Sequence, residues 1–154
     1  MASGIEILAK RWFESNKSNS KGKYLEKDLY DSLTKNEFLI IKEKLKNYKQ
    51  GDKILNKLQN CNNMGPNERL KNFFEELNLP LGALERKAMN YRNVMIHDSI
   101  DFSRINYEEL IKLSLAYTCL VHRVLLKVLG YNGTYLDYSM KERPEKPLNQ
   151  IVGE

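Results

Sequence analysis

The longest predicted helix lies in the stretch NYEELIKLSLAYTCLVHRVLLKVLG, residues 106–130. Asn106 and Glu109 match an Asn variant of the capping box, which predicts that the helix begins at Asn106. Gly130 is the residue type that most often ends a helix, so the last turn should finish at Leu129. Its main apolar stripe consists of Leu110, Leu113, Tyr117, Leu120, Val124 and Leu125. Because other apolar residues lie on its remaining sides, we expect this helix to be central in its domain.

A second long helix is predicted immediately upstream, from about Leu81 to His97. Pro80 closes the helix that precedes it, and a short loop joins it to the helix that begins at Asn106. Four of its residues share one side at helical spacing, and they are expected to face the core. These four residues are Leu84, Ala88, Tyr91 and Met95.

Shorter helices are predicted further upstream from apolar residues at helical spacing. Their approximate extents are Ile5 to Phe13, Leu25 to Leu33, Phe38 to Tyr48, Ile54 to Leu58 and Leu70 to Leu77. The apolar stripe changes phase between Leu33 and Phe38, where Thr34 and Glu37 match a capping box. We therefore expect a break or kink near residue 35.

These patterns predict an all-α fold of four to six helices over residues 1–143. The length of 154 residues fits one domain. Residues 144–154 are predicted to be a tail. The segment from Tyr131 onwards combines tyrosines, prolines and alternating polar residues, so it should wrap the surface or pair briefly and then fray after Pro144.

The composition excludes several classes of protein. No apolar run approaches the ~20 residues that a membrane-spanning helix requires, and the opening Met1–Gly4 lacks the regions of a signal peptide. We therefore expect a soluble, cytoplasmic protein that makes no membrane contact. The chain has 25 Lys and Arg against 20 Asp and Glu, and this net charge of +5 mildly favours polyanionic partners.

The cysteines and histidines give no sign of a metal centre. Cys61 and Cys119 lie far apart, and neither belongs to a CxxC pair. Cys119 stands in an apolar helical run and is predicted to be a small buried apolar residue. With only two histidines, His97 and His122, no spacing supports a metal site, and we expect no metal and no cofactor.

The stretch YRNVMIHD, residues 91–98, carries the candidate chemistry. Asn93 and His97 lie one helical turn apart on the side opposite the predicted core stripe, and Arg92 lies at the edge between the two sides. An arginine, an amide and a histidine together can bind a phosphate, stabilise developing negative charge and move a proton. From spacing alone, a structural or merely exposed His97 stays an equal alternative.

The pattern Arg92-Asn93-x-x-x-His97, near the end of one helix and followed by a loop and a long apolar helix, resembles the HEPN domain. In that family an arginine is followed by a polar residue and, a few residues later, by a histidine, and all three positions match here. The Leu-rich last helix ending in Leu129-Gly130-Tyr131 is similar to the ApeA-like HEPN group. The resemblance covers roughly residues 5 to 140.

The resemblance implies an HEPN-like up-and-down helical bundle that acts as a homodimer, with the motif helices of two copies facing each other. It implies a metal-independent endoribonuclease of antiphage defence or toxin-like systems. In that enzyme His97 is the general acid or base, Arg92 holds the phosphate, and Asn93 orients His97 or the phosphate. Some members of the family are non-catalytic modules for dimerisation or nucleotide binding, which is the alternative. The resemblance also allows for an upstream domain or an antitoxin partner.

Several other residues are secondary candidates. By their spacing, Lys42, Lys46 and Lys49 share one helix face, which would suit an RNA backbone track, although a solvated helix face is the simpler interpretation. Arg104, in the loop after the motif, is a candidate phosphate contact. His122 is predicted to be a partly exposed histidine on a core helix.

Met89 and Ile96 flank the motif and bear on the dimer. They are seven residues apart, on a side of the helix away from the core stripe. They would either contact a second copy or be covered by a neighbouring helix of the same chain.

Overall fold

The computed structural model describes residues 4–15, 22–97 and 106–153, with the side chains of residues 92–97 outside that description. Six helices lie in this part of the chain: α1 Gly4–Glu14, α2 Lys27–Leu45, α3 Gly51–Gln59, α4 Pro66–Glu76, α5 Ala83–His97 and α6 Tyr107–Val128. The predicted all-α class with four to six helices is confirmed. A small antiparallel hairpin of β1 Thr134–Leu136 and β2 Glu145–Pro147 is added to it.

The described helices also bear on membrane contact. None of them combines the length and the apolar character that crossing a membrane requires.

The chain divides into two compact units. The N-terminal unit is Glu6–Leu70, and the C-terminal unit is Lys71–Glu154 together with Met1–Ile5. The boundary falls inside α4. The candidate motif and the long helix α6 both belong to the C-terminal unit.

In the N-terminal unit, α2 is one continuous helix, so the expected break near residue 35 is wrong. Thr34 does not cap a new helix, because its hydroxyl donates to the Tyr30 carbonyl one turn earlier, at 2.8 Å. The Tyr30 hydroxyl in turn donates to the Leu58 carbonyl at 3.1 Å, which ties α2 to α3. The half-buried side of α2 is Tyr30, Thr34, Phe38, Ile41 and Leu45. The apolar phase changes because the earlier leucines are exposed, namely Leu25, Leu29 and Leu33.

Helix α2 ends at Leu45 because α3 packs closely against its end. Gly51 is the first residue of α3, and a Cβ added to it would lie 2.2 Å from the Leu45 carbonyl oxygen. Only glycine permits this approach of two backbones. The predicted continuation of α2 to Tyr48 is therefore replaced by a turn at residues 46–50.

The core of the C-terminal unit lies between α5, α6 and the residues after α6. Its buried members are Ala88, Leu113, Ala116, Cys119, Tyr135, Leu148 and Val152. Cys119 is buried as predicted, and burial raises the pKa of its thiol. The unit is therefore held by packing between helices and an irregular C-terminal segment.

Both ends of α6 follow the sequence prediction. The Asn106 side chain accepts hydrogen bonds from the Glu108 and Glu109 N–H groups. At the other end, Tyr131 N donates to the Leu126 carbonyl and Gly130 N to the Lys127 carbonyl, which is a Schellman motif. Gly130 has a φ of 81°, the left-handed conformation that glycine adopts without strain.

Helix α6 is buried on one side and exposed on the other. Leu113, Leu120 and Val124 are buried, whereas Ile111 and Leu129 are among the most exposed apolar residues of the described chain. The expectation that α6 is central in its domain is therefore wrong, because only one side of α6 is packed.

The predicted fraying after Pro144 is also wrong. Strand β2 begins at Glu145 and pairs with β1, so that Tyr135 lies opposite Lys146. Beyond the strand, Leu148 and Val152 are buried in the core. The segment from Tyr131 does pair briefly, as expected, but it then packs instead of fraying because its apolar residues complete the core.

Asp137 connects the hairpin to the last described residues. Its buried carboxylate accepts hydrogen bonds from Lys146 Nζ at 2.8 Å, Gly153 N at 2.7 Å and Ser139 Oγ at 2.6 Å. Burial alone would raise the pKa of Asp137, but these hydrogen bonds outweigh burial, and the pKa lies below its ordinary value of 3.8. The folded state therefore favours the ionised form.

We expect Asp137→Asn to destabilise the protein by about 2–3 kcal/mol at pH 7, because Lys146 loses its charged partner. A carboxyl group with a lowered folded pKa contributes stability above its unfolded pKa, and that contribution is lost as the pH falls through the folded value. The difference between wild type and variant should therefore shrink below about pH 4. Urea unfolding at pH 7 and pH 3 measures this difference in the free energy of unfolding. Glu142→Gln, which changes an exposed acid, is the control, and an unchanged difference at pH 3 would contradict the assignment.

Candidate active site on helix α5

Helix α5 begins where the sequence predicts, with its start fixed by Glu85. Glu85 Oε2 accepts a hydrogen bond at 2.7 Å from the N–H of Gly82, the residue before the helix. This contact is one half of a capping box. The predicted extent from about Leu81 to His97 agrees with the observed Ala83–His97 to within two residues.

The register of α5 on the core is also as predicted. Ala88 is buried in the core cluster, and Leu84 and Tyr91 pack against it. His97 lies nine residues after Ala88, and Asn93 lies nine residues after Leu84. Nine residues turn a helix by about 180°. Positions 93 and 97 of the backbone therefore lie on the side of α5 opposite its core contacts.

The same side of α5 is exposed further towards its N-terminus. Arg86, Asn90, Asn93 and His97 follow spacings of four, three and four residues, which keeps them on one side of a helix. Arg86 and Asn90 are exposed, and the Arg86 guanidinium donates to the Leu81 carbonyl at 3.2 Å. These two residues are not among the site residues predicted from the sequence, although their spacing from His97 could have indicated them.

Arg92 is the remaining motif position on α5. Arg92 lies four residues after Ala88, so it stands at the edge between the core side and the exposed side. About 7.5 Å of helix axis separates it from His97. The side chains of Arg92, Asn93 and His97 lie outside the described residues, as do those of Met95 and Ile96, and Arg104 lies outside them entirely.

The end of the helix adds an electrostatic feature. His97 is the last residue of α5. The C-terminal end of a helix dipole carries partial negative charge and stabilises a cation there. The backbone of residue 97 therefore lies at the end of α5 where the helix dipole favours positive charge.

The three candidate RNA-binding lysines belong to the N-terminal unit and do not share one helix face. Lys42 lies on α2, Lys46 is the residue after the helix, and Lys49 lies in the turn that precedes α3. Lys46 forms an ion pair with Glu43. The prediction of a common face fails for Lys49, because the packing of Gly51 ends α2 at Leu45.

Lys42 borders a groove of about 410 Å³ between α2 and α3. The other lining residues are Asp31, Thr34, Lys35, Phe38, Leu39, Leu55 and Gln59. The lining combines apolar side chains with charges of both signs, so the groove has no clear preference for a polyanion.

The structure reveals a group of buried charges that sequence reasoning missed. Arg123 and Glu85 are fully buried and form an ion pair, and Asp137 and Lys146 form a second one. Within the described residues each of these side chains has protein partners, and they hold the unit together instead of facing a ligand. The presence of Arg123, a charged residue, within the apolar stretch of α6 could have indicated that it is buried.

His122 lies where it was expected, exposed on α6. Its ring meets the Tyr138 ring edge to face, with the centroids 6.3 Å apart. Arg143 Cζ lies over the Tyr138 ring, 6.0 Å from its centroid.

Comparison with known proteins identifies no relative: no protein-family model, curated protein or solved structure matches the chain. The resemblance to HEPN domains depends on the motif and on the order of the helices alone.

Proposed function

We propose that this protein is a metal-independent endoribonuclease of the HEPN type, which acts as a homodimer with a composite site built from Arg92, Asn93 and His97. Its setting is an antiphage defence or toxin-like system. The observation that carries the proposal is the position of the motif. Asn93 and His97 stand on the side of α5 that faces away from the core, in the last turns of a helix followed by the long helix α6.

The reaction is transesterification of the RNA backbone. The 2′-hydroxyl loses its proton and attacks the adjacent phosphorus, a new P–O2′ bond forms, and the P–O5′ bond breaks. The 5′-oxygen takes up a proton as it leaves. The products are a 2′,3′-cyclic phosphate and a 5′-hydroxyl, and water, metal ions and cofactors are not consumed.

The reaction requires a base for the 2′-hydroxyl and an acid for the leaving oxygen, on opposite sides of the phosphorus. One chain supplies a single histidine on this side of α5. A second copy related by a two-fold axis supplies the other, and this is the physical reason for a composite site. Arg92 holds the phosphate through its planar fork and stabilises the charge that develops on it, while Asn93 orients His97 or the phosphate.

RNA backbone contacts away from the motif are assigned to Arg104 and, in the N-terminal unit, to Lys42, Lys46 and Lys49. Lysines act as point charges towards phosphates, so a shared helix face is not required of them. Their contribution should weaken as salt rises.

The test is a panel of single-stranded and hairpin RNAs incubated with the pure protein in EDTA, followed by analysis of the product ends. We expect cleavage in EDTA and products with cyclic phosphate and 5′-hydroxyl ends. DNA of the same sequence is the control and should stay intact, because it lacks the 2′-hydroxyl. Intact RNA would contradict the enzyme proposal and favour a non-catalytic module for dimerisation or nucleotide binding, whereas 5′-phosphate ends would contradict the mechanism.

A further inference from the structure

The end of α2, the turn after it and most of α3 form an exposed, positively charged surface. We define the basic segment as residues 42–57. It contains six lysines and two acidic residues, so it carries a net charge of +4, whereas the whole chain carries +5. All eight of these residues are exposed. The lysines are Lys42, Lys44, Lys46, Lys49, Lys53 and Lys57, and the acids are Glu43 and Asp52.

Five of the six lysines have no ion-pair partner among the residues that the structure describes. The sixth, Lys46, pairs with Glu43. That pair is exposed on both sides, and such pairs contribute little free energy, so a phosphate can replace the carboxylate at little cost. The basic segment is therefore ready to bind a polyanion, and binding would release the counterions of the phosphates that it neutralises.

An aromatic ring stands in the middle of the basic segment. Tyr48 lies in the turn between α2 and α3, and it is the most exposed tyrosine of the described chain, with 69% of its surface accessible. Hydrogen bonds hold its backbone on both sides. Its N–H donates to the Leu45 carbonyl at 3.0 Å, and its carbonyl accepts from the Gly51 N–H at 2.9 Å. A ligand can therefore stack on the ring without first having to order the turn.

The other residues of the turn are polar and exposed: Lys46, Asn47, Lys49 and Gln50. Because at most two residues separate them, the Cα atoms of Lys46 and Lys49 lie within about 7 Å of that of Tyr48. A surface that enters a membrane or anchors a protein partner places further apolar side chains beside such a ring. A single ring between lysines fits a planar base, with phosphates on the ammonium groups around it.

We propose that the basic segment binds single-stranded nucleic acid, with Tyr48 stacked on one base and the lysines on neighbouring phosphates. The inference rests on the proposed function only for the choice of a nucleic acid among polyanions. It extends the backbone contacts assigned above to Lys42, Lys46 and Lys49 by naming the form of the ligand. Neither stacking nor phosphate binding uses the 2′-hydroxyl, so single-stranded DNA should bind as RNA does.

The first test compares a single strand with a duplex. Charge alone would favour the duplex, which carries one negative charge per about 1.7 Å against about 3.4 Å for one strand. Stacking favours the single strand, because the bases of a duplex already stack on each other and do not reach the ring. Fluorescence anisotropy with the wild-type protein and an oligothymidylate of about 12 nucleotides measures binding without cleavage, since DNA lacks the 2′-hydroxyl. We expect the single strand to bind about tenfold more tightly than its duplex with oligoadenylate. A preference for the duplex, or no binding of the single strand, would overturn the proposal.

The second test addresses the ring. Tyr48→Ala should raise the dissociation constant for oligothymidylate about tenfold, while Tyr48→Phe keeps the ring and should stay within about threefold of the wild type. The matched control is Tyr107→Ala, because Tyr107 is 66% exposed but is followed by Glu108 and Glu109, and it should bind like the wild type. Circular dichroism confirms that the variants fold. Wild-type affinity of Tyr48→Ala, or an equal loss in Tyr107→Ala, would contradict the stacking contact.

The third test addresses the lysines. Each phosphate contact with a single strand contributes about 0.7 to the slope of the logarithm of the binding constant against that of the salt concentration. Lys49→Gln should lower this slope by about that amount, whereas Lys141→Gln, a change of an exposed lysine outside the basic segment, should not. Binding to phosphatidylserine vesicles that Tyr48→Ala abolishes, without a preference for single strands, would assign the surface to a membrane and reject the proposal.

The same measurements separate this inference from the ribonuclease. Wild-type protein that binds oligothymidylate through Tyr48 but leaves RNA intact would support the binding surface and reject the enzyme. RNA cleavage without binding of the single strand, at equal rates in wild type and Tyr48→Ala, would reject the binding surface and leave the enzyme standing.

Discussion

Replacement of His97 by alanine should lower RNA cleavage by a factor of at least 10²–10⁴, the usual contribution of a positioned general acid or base. The fold should not change, since His97 is the last residue of α5 and lies on the side opposite the buried Ala88. Initial rates on one RNA substrate measure the effect, and far-ultraviolet circular dichroism monitors the helices.

Asn149→Ala, a change of an exposed asparagine in the C-terminal segment, is the matched preparation control and should cleave like the wild type. Loss of cleavage in His97→Ala but not in Asn149→Ala shows that the activity belongs to the protein and not to a co-purified nuclease. Equal rates for wild type, His97→Ala and Asn149→Ala would end the assignment of His97. If His97→Ala loses both RNA cleavage and the helical circular dichroism signal, His97 has a structural role.

Arg123→Met should destabilise the protein by about 3–5 kcal/mol, the cost of removing one partner of a buried ion pair. The fully buried guanidinium donates to Glu85, to the Leu148 carbonyl at 3.0 Å and to the Pro80 carbonyl at 3.2 Å. Burial raises the pKa of Glu85, while the Gly82 N–H and Arg123 favour its ionised form. Without Arg123, the buried Glu85 loses its charged donor, and the Leu148 and Pro80 carbonyl groups lose a hydrogen bond. Urea unfolding at pH 7 measures the change.

A second substitution distinguishes the lost ion pair from lost packing. Glu85→Gln in the Arg123→Met background removes the uncompensated charge, and it should recover a substantial part of the lost stability. Arg143→Met changes an exposed arginine of the same unit and should cost less than about 1 kcal/mol. No recovery in the double variant would show that packing, not charge, accounts for the effect of Arg123.

The parts of the fold that local signals determine could be predicted from the sequence. Both ends of α6 follow from Asn106 and Gly130, because a side-chain cap and a left-handed glycine act within one turn. The register of α5 follows from the spacing of Leu84, Ala88 and Tyr91. For the same reason the backbone positions of Asn93 and His97, opposite the core, were predictable.

The parts that depend on distant contacts could not be predicted in this way. The end of α2 depends on the packing of Gly51 against Leu45, and the capping signal at Thr34 is overridden by its bond to Tyr30. The C-terminal segment is ordered by contacts with residues more than a dozen positions away, such as the bond from Gly153 to Asp137. No short window of sequence contains both partners of such a contact.

The packing of residues 145–153 has a consequence for the order of events during synthesis. Helices α5 and α6 leave the ribosome first, but the contact of Arg123 with the Leu148 carbonyl and that of Asp137 with the Gly153 N–H cannot form until Leu148 and Gly153 have emerged. The C-terminal unit therefore closes late, after the whole of this segment has been translated. A nascent chain stalled before residue 145 would carry the Arg92-Asn93-x-x-x-His97 motif on a helix without its finished support, so an early, uncontrolled activity of the incomplete protein is not expected.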